Sequence, residues 1–123
     1  MNDNPLIEAF CEEAIDFIDS INDSLATLES DPNDKSSLEN CYVKYHALKG
    51  NAGFLGYKQL KIICEKCEDD FYDFKENNNS LEPKDILYFK KVTNEITRII
   101  NYIANNRSEG DISSEEILKR PSD

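Results

Sequence analysis

The sequence has few glycines and few basic residues, and both shortages limit what the chain can be. Only four of its 123 residues are glycine, and no stretch alternates apolar with polar residues between turn residues, so a β-sheet is not expected. Fourteen basic residues stand against twenty-five acidic ones, for a formal net charge of -11. Because nucleic acids and anionic membrane surfaces attract clusters of lysine and arginine, we expect neither as a partner.

Long apolar runs are missing as well. No run approaches the ~20 residues that a membrane-spanning helix needs, and the first five residues lack the basic start of a signal peptide. We therefore expect a cytoplasmic protein. A hydrophobic content of 39% is compatible with one compact domain that has a substantial core.

The four cysteines are expected to be reduced core residues. Cys64 and Cys67 have the C-x-x-C spacing of some metal and redox sites. However, Cys41, Cys64 and Cys67 fall on apolar positions of predicted helices, and Cys11 lies beside such positions, where a thiol behaves as a small hydrophobe. A metal-built fold usually has little core, so we expect no bound metal.

Apolar residues recur at helical spacing in four segments, which predicts an all-α fold. The first helix begins at Asn4-Pro5 and the fourth near Pro83, because proline is favoured in a first helical turn. Ser36 and Glu39 form a capping box that opens the second helix, which should end near Ala52. A loop at 30–34 and a polar turn at 77–80 separate the elements. The expected inward positions outside the second helix are Ile7, Phe10, Ala14, Phe17, Ile18, Ile21, Leu25, Leu28, Leu60, Ile63, Cys64, Cys67, Phe71, Phe74, Ile86, Phe89, Val92, Ile96, Ile99, Ile100 and Ile103.

Four amphipathic helices with short connections imply an antiparallel up-down bundle, which we place at residues 1–106. Ser113 and Glu116 form a second possible capping box within the C-terminal segment 107–123. This segment either docks as a short fifth helix or remains a flexible tail.

The chain has one histidine, His46, on the exposed side of the second predicted helix. Its buried face is expected to be formed by Leu38, Cys41, Tyr45, Leu48 and Ala52, and His46 lies roughly 120° from the centre of that face. Lys49 follows one turn later and could neutralise negative charge gathered there. Gly50 and Gly53 share the histidine stripe. Since glycine costs about 1 kcal/mol relative to alanine inside a helix, Gly50 indicates a need for access to the imidazole, whereas packing or a helix end explains Gly53 better.

A carboxylate of the third helix could orient this imidazole. Lys61, Glu65, Glu68 and Tyr72 share one flank by their i, i+3 and i+4 spacing. If the second and third helices pair through their apolar stripes, that flank lies beside His46. A carboxylate there could accept the Nδ1 proton and leave Nε2 as the nucleophile. For either glutamate, the alternative is an ordinary solvated charge.

The segment that begins at His46 resembles the signature of histidine phosphotransfer (HPt) domains. The segment His46-Ala47-Leu48-Lys49-Gly50 is similar to their H-x-x-K-G motif. The following segment, residues 51–57 and then Leu60, resembles the phosphotransfer (P1) domain of CheA-type chemotaxis kinases, and the likeness extends over about residues 5 to 105. The resemblance implies a phosphorelay domain of a two-component system. Its histidine accepts a phosphoryl group from a histidine kinase catalytic domain or a receiver and passes it to a response-regulator aspartate.

The resemblance also implies roles for individual residues. His46 corresponds to the phosphorylated histidine, Lys49 to the lysine that supports the phosphoryl group, and Glu68 to the glutamate that hydrogen-bonds the ring. Gly50 and Gly53 are the candidate positions for docking and access. Glu65 stands where CheA domains often carry a second histidine, so it is only a possible outer neighbour of the site.

The chain has no glycine-rich phosphate loop and no acidic Mg²⁺ motif for ATP. We therefore expect a phosphotransfer intermediate without its own ATP site or cofactor, with Mg²⁺ supplied by the receiver or kinase partner. The sequence is compatible both with a free HPt protein and with a fragment of a CheA-type kinase.

Two other functions compete with phosphotransfer. Asp23-Ser24-Leu25 matches the D-S-L attachment signal of acyl carrier proteins, but Ser24 lies deep in the first predicted helix instead of at a helix start. The stronger competitor is a non-catalytic helical adaptor, in which the bundle presents a binding face and the histidine is inert.

Overall fold

The computed structural model describes residues 5–77 and 79–121, and this part of the chain is helical without strands. The helices are α1 Pro5–Ser30, α2 Lys35–Leu55, α3 Lys58–Glu76, α4 Pro83–Asn106 and α5 Ser114–Leu118. α1 packs against α2 and α4, and α3 packs against the other side of α2 and against α4. The predicted all-α bundle is therefore confirmed. Within the described ranges, no helix has both the length and the apolar character needed to cross a membrane.

The core forms from the apolar stripes that the sequence predicted. The expected inward residues of all four long helices are buried, except that Phe17 and Phe74 are partly buried at its margin. Tyr45 is completely buried, and its hydroxyl lies 2.8 Å from the hydroxyl of Thr93 on α4. Tyr45 also contacts the ring of Phe71 at 5.7 Å between centroids, which ties α2 to α3. These contacts fix the two helices that carry the candidate site residues.

The start of α2 differs from the prediction. Asp34 is the N-cap, and its carboxylate accepts hydrogen bonds from the backbone N–H of Ser37 at 3.0 Å and from its hydroxyl at 2.6 Å. The predicted capping box of Ser36 and Glu39 is wrong, because a charged acceptor two residues earlier caps the helix. Glu39 instead forms an ion pair with Lys75 at 3.2 Å.

The end of α2 also differs, by three residues. The helix continues through Gly53 to Leu55, and Gly56 ends it with φ 83° and ψ 17°, in the left-handed region. The N–H of Tyr57 then bonds to the carbonyl of Ala52 at 2.9 Å. Glycine adopts this conformation without a steric penalty, so Gly56 is the C-terminal signal and Gly53 is an interior residue.

The segment 107–121, which we call the C-terminal strap, docks on the bundle. Ser113 caps α5 by accepting a hydrogen bond from the N–H of Glu116 at 3.1 Å. The hydroxyl of Tyr88 on α4 donates to the carbonyl of Leu118 at 2.7 Å, and the side chains of Ile117 and Leu118 pack on the core. Of the two outcomes considered for the fifth helix, docking is observed. The predicted cap at Asn4 and the turn residue Asn78 lie outside the described residues.

The four cysteines are free and buried, as expected for core thiols. Burial raises the pKa of Cys41 to about 12, although a hydrogen bond with Ser24 acts in the opposite direction. Burial also raises the pKa of Cys64 and Cys67. These side chains are therefore neutral thiols at physiological pH.

Candidate functional site

His46 lies near the middle of α2 and faces solvent. Its side chain is 59% exposed, while its neighbours Tyr45 and Leu48 on the opposite face are buried. The helical spacing predicted this orientation, and the structure confirms it. The imidazole is therefore accessible to another molecule, and its chemistry depends on the groups that lie around it.

Glu68 of α3 is the hydrogen-bond partner of this imidazole. Its Oε2 lies 2.7 Å from Nδ1 of His46, and the residue is only 7% exposed. A buried carboxylate is costly unless it is paired, so Glu68 is not an ordinary solvated charge. Glu65 is exposed and lies one turn earlier on α3. Of the two candidate glutamates, Glu68 is the one that contacts the ring.

Lys49 contacts the second oxygen of the Glu68 carboxylate. Its Nζ lies 2.8 Å from Oε1 of Glu68. Burial raises the pKa of Glu68, but the hydrogen bonds from Lys49 and His46 outweigh burial, so the pKa of this carboxyl is lowered. The hydrogen bond to Glu68 raises the pKa of Lys49, and the charges of Glu65 and Asp69 add to this effect. Glu68 is therefore ionised and Lys49 is positively charged.

The charge on Glu68 decides the tautomer of His46. An ionised carboxylate has no proton to donate, so Nδ1 of His46 must be the donor in the 2.7 Å hydrogen bond. In the neutral imidazole, Nε2 then carries the free electron pair. The arrangement thus provides an exposed nitrogen nucleophile with a buried carboxylate behind it and a lysine beside it.

The two candidate glycines differ in their surroundings. A Cβ built on Gly50 would meet nothing within 4 Å, apart from its own helix backbone, whereas one built on Gly53 would lie 3.3 Å from Cδ of Lys61. Gly53 therefore accommodates the side chain of Lys61 from α3. Gly50, one turn after His46, leaves open space next to the imidazole.

Tyr42 is part of this site and was missed in the sequence analysis. It lies one turn before His46, with the two ring centroids 6.3 Å apart and the ring planes inclined by 25°. The i, i+4 spacing was available as a signal, but it did not reveal the near-parallel orientation of the rings. His46 therefore has an aromatic ring on one side and the open position at Gly50 on the other.

Ser24, the candidate attachment site of a carrier protein, is not available for modification. It lies in the interior of α1 and is 8% exposed. Its hydroxyl accepts a hydrogen bond from the side-chain amide of Asn40 at 2.8 Å. A prosthetic group on this oxygen would have to displace α2, so the structure opposes the carrier function.

Comparisons with known proteins identify the family of the chain. Residues 5–102 match the family model described as Hpt domain. The chain is 31% identical over 72 residues to the chemotaxis protein CheA of Halobacterium salinarum, which covers 58% of this chain and 11% of that protein. It is 28% identical over 71 residues to CheA of Borreliella burgdorferi, covering 58% and 8%. The chain thus spans only about a tenth of the length of these relatives.

A solved structure supports the fold. The CheA phosphotransferase domain from Thermotoga maritima superposes with a TM-score of 0.76 at 22% sequence identity. The match covers 80% of this chain and 93% of that domain. At this level of identity, the match establishes a shared helical architecture.

Proposed function

The chain belongs to the Hpt domain family, which performs histidine phosphotransfer in two-component systems, and we propose that His46 is the residue that carries the phosphoryl group. The observation that supports this proposal is the hydrogen bond between Nδ1 of His46 and the buried, ionised Glu68. It leaves Nε2 exposed as a nucleophile. The proposed donor is a histidine kinase catalytic domain or a phosphorylated receiver, and the proposed acceptor is an aspartate of a response-regulator receiver domain.

The transfer is a displacement at phosphorus. The electron pair of Nε2 attacks the phosphoryl group, the bond from phosphorus to the donor oxygen breaks, and the bonding electrons leave with that oxygen. The imidazole gains positive charge, which the carboxylate of Glu68 stabilises at 2.7 Å from Nδ1. Attack by a receiver aspartate on the phosphorylated ring reverses these changes, because the N–P bond then breaks and its electrons return to Nε2. Mg²⁺ for these steps is expected to come with the partner.

Lys49 is proposed to stabilise the phosphoryl oxygens. Its ammonium group bonds to Glu68 in the free domain, and its side chain is 23% exposed, so it lies at the edge of the site. An ammonium group next to the reacting nitrogen attracts the negative charge of the phosphoryl group. In this proposal Lys49 lowers the barrier to transfer, and Nε2 of His46 forms the bond to phosphorus.

The proposed docking surface for the receiver runs along α2 from His46 through Gly50 to Phe54. Gly50 leaves space beside the nucleophile, and Phe54, one turn further on, is 81% exposed. Phe54 lines an apolar groove between α1 and α2 together with Leu6 of α1. Leu6 is 61% exposed. Exposed apolar side chains of this size are typical of binding surfaces. Given the net charge of -11, the receiver surface is expected to present basic residues at its rim.

The phosphorylation proposal is tested with His46→Gln. The wild-type chain and the variant are incubated with a phosphorylated receiver or a histidine kinase catalytic domain, and the phosphate is measured by intact mass and by its acid lability and base stability. We expect phosphate on the wild type only, with the helical circular dichroism unchanged. Phosphate retained on the variant would refute the assignment of His46. Its absence from the wild type with every donor would favour the adaptor function.

The docking proposal is tested with Gly50→Leu. A branched side chain would occupy the open position, so we expect receiver affinity to fall by about tenfold, while the better helix propensity of leucine preserves or raises stability. Asn94→Leu is the matched control, because it places leucine on an exposed position of α4. Equal receiver affinity for both variants and the wild type would show that docking does not use this position.

A cytoplasmic location stays a prediction from the sequence.

A further inference from the structure

The hydrogen bond to Glu68 fixes only one point of the His46 ring. It holds Nδ1 at 2.7 Å from Oε2, but a single contact leaves rotation of the ring about this line. That rotation would move Nε2, the proposed nucleophile, through an arc. Phosphoryl transfer requires the nitrogen electron pair to point at phosphorus in line with the leaving oxygen, so a second constraint on the ring plane would increase the fraction of productive collisions.

Tyr42 provides a surface for such a constraint. Its ring is inclined by only 25° to the imidazole at a centroid distance of 6.3 Å, within the range of offset-stacked aromatic pairs. Tyr42 precedes His46 by one helical turn and is partly buried against the core. A ring in this position opposes rotation of the imidazole toward the N-terminal side of α2.

Tyr42 is itself held in place from α3. The ammonium group of Lys75 lies 5.0 Å from the centroid of the Tyr42 ring and 5.6 Å from that of Tyr72. The Tyr42 and Tyr72 rings lie 6.0 Å apart. Lys75 is anchored by carboxylates on both helices, at 3.2 Å from Glu39 and 2.7 Å from Glu76. These cation–π and aromatic contacts bind Tyr42 to the neighbouring helix.

We propose that Tyr42 is a positioning residue for phosphoryl transfer, which sets the plane of the His46 ring while Glu68 sets its tautomer. Tyr42 does not touch the phosphoryl group and exchanges no proton in this proposal. It acts through the ring of His46 alone. The proposal rests on the assignment of His46 as phosphoryl carrier for its effect on rate, but the orientation of the ring is measurable without any phosphorylation.

The test compares Tyr42→Leu with Tyr42→Phe and Tyr72→Leu. Leucine removes the flat ring, phenylalanine keeps it, and Tyr72→Leu removes the neighbouring ring that does not stack on His46. The His46 side-chain torsions are measured by NMR couplings and ring proton shifts. The phosphorylation rate is measured with phosphoramidate, a small donor that needs no protein docking. For Tyr42→Leu we expect averaging between ring conformers and a rate lowered by about fivefold.

Tyr42→Phe is expected to keep the single ring conformer and the wild-type rate. Tyr72→Leu removes one of the contacts that hold Tyr42, so it should show the same changes as Tyr42→Leu but smaller ones. A single conformer and an unchanged rate in Tyr42→Leu would overturn the proposal. Lys75→Met provides a second variant that leaves the core intact, because it removes only the charge behind Tyr42. It should show a smaller change in the same direction, and no change in ring conformers would count against the proposal.

The two proposals fail in distinguishable ways. If the wild-type chain accepts no phosphate from phosphoramidate, a kinase domain or a receiver, the assignment of His46 as carrier fails. Averaging of the His46 ring in Tyr42→Leu would still show in that case that Tyr42 sets the plane of the ring. Conversely, normal phosphorylation of the wild type with unchanged ring conformers in Tyr42→Leu would refute the positioning role and leave the carrier assignment standing.

Discussion

Two glutamates, Glu68 on α3 and Glu109 in the C-terminal strap, use similar contacts for different purposes. Glu68 contacts two side chains: Oε2 accepts a hydrogen bond from His46 Nδ1 at 2.7 Å, and Oε1 forms an ion pair with Lys49 Nζ at 2.8 Å. Glu109, in the C-terminal strap, accepts two backbone bonds at the start of α3, from Leu60 N at 3.0 Å and Gln59 N at 3.1 Å. In each carboxylate, both oxygens therefore contact a nitrogen atom of another residue.

The difference between them lies in what each carboxylate holds. Tyr57, the N-cap of α3, has no side-chain cap hydrogen bond, so Glu109 supplies the acceptor that a helix start needs. Its contribution is to stability. Glu68 orients an exposed ring and a lysine, so its contribution is to the reactivity of a side chain that the fold does not need. Substitutions of the two residues should therefore separate rate from stability.

The largest expected effect is on rate, in Glu68→Gln. Glutamine keeps the shape but loses the charge, and its amide can donate to Nδ1 as well as accept from it, so the tautomer is no longer fixed. We expect the phosphorylation rate to fall by about tenfold, equivalent to ~1.4 kcal/mol of barrier. The ¹⁵N shifts of the His46 ring should change from one tautomer to a mixture. Phosphorylation with a small donor and ring NMR provide the two measurements.

Glu65→Gln is the matched control for this experiment. Glu65 is exposed and one turn away on the same helix, so its substitution should leave the tautomer and the rate close to the wild type. A larger loss of rate in Glu65→Gln than in Glu68→Gln would transfer the orienting role to Glu65. That result would contradict the hydrogen bond on which the proposed function rests.

The next effect is on stability, in Glu109→Ala. This change removes the acceptor for two N–H groups at the start of α3, which should lower the free energy of unfolding by about 1 kcal/mol. The phosphorylation rate of the folded protein should stay at the wild-type value. Asp111→Ala, at an exposed position of the same strap, is the control in denaturant titrations. A loss of rate in Glu109→Ala comparable to that of Glu68→Gln would show that the strap is coupled to the nucleophile.

The two glutamates also show what could be predicted from the sequence. Glu68 lies at helical spacing on a flank that apolar periodicity turns toward α2, so its approach to His46 followed from local pattern and from the HPt resemblance. Glu109 acts across 49 and 50 residues from a segment without helical periodicity. No local pattern connects it to Leu60 or Gln59. The cap was therefore found only in the structure.

The difference between what a local pattern shows and what it does not show also explains the errors in the predicted ends of α2. The apolar stripe predicted the buried face correctly, since burial follows periodicity. The ends depended on competition between nearby candidates, and Asp34 prevailed over Ser36 while Gly56 prevailed over Gly53. Several residues near each end of α2 could serve as its cap, and the sequence alone does not show which of them adopts the backbone angles of a cap. The contact of Tyr42 with His46 was at predictable spacing, but its ring orientation depends on Lys75 from another helix.

The smallest expected effect is on the pH dependence of stability. The pKa of Glu68 is lowered below its ordinary value of 4.5, because the hydrogen bonds from Lys49 and His46 outweigh burial. A group whose pKa is lower in the folded state contributes stability above the unfolded value, and this contribution is lost as the pH falls through the folded pKa. The difference in unfolding free energy between wild type and Glu68→Gln should therefore shift in favour of the variant as the pH is lowered from 5.5 to about 3.

Asp69 opposes this trend and keeps the net effect small. Burial raises its pKa above the ordinary value of 3.8, and the charges of Glu65 and Glu68 raise it further. Its contribution to stability is therefore present at low pH and is lost as the pH rises through the raised pKa. In the difference between wild type and Glu68→Gln, Asp69 acts through its repulsion with Glu68. Repeating the denaturant titrations in an Asp69→Asn background removes this repulsion, so the contribution of Glu68 should become larger. A difference between wild type and Glu68→Gln that stays constant from pH 5.5 to 3 in that background would show that Glu68 gains no stability from its two partners; Glu68 would then act on rate alone, whereas Glu109 acts on stability.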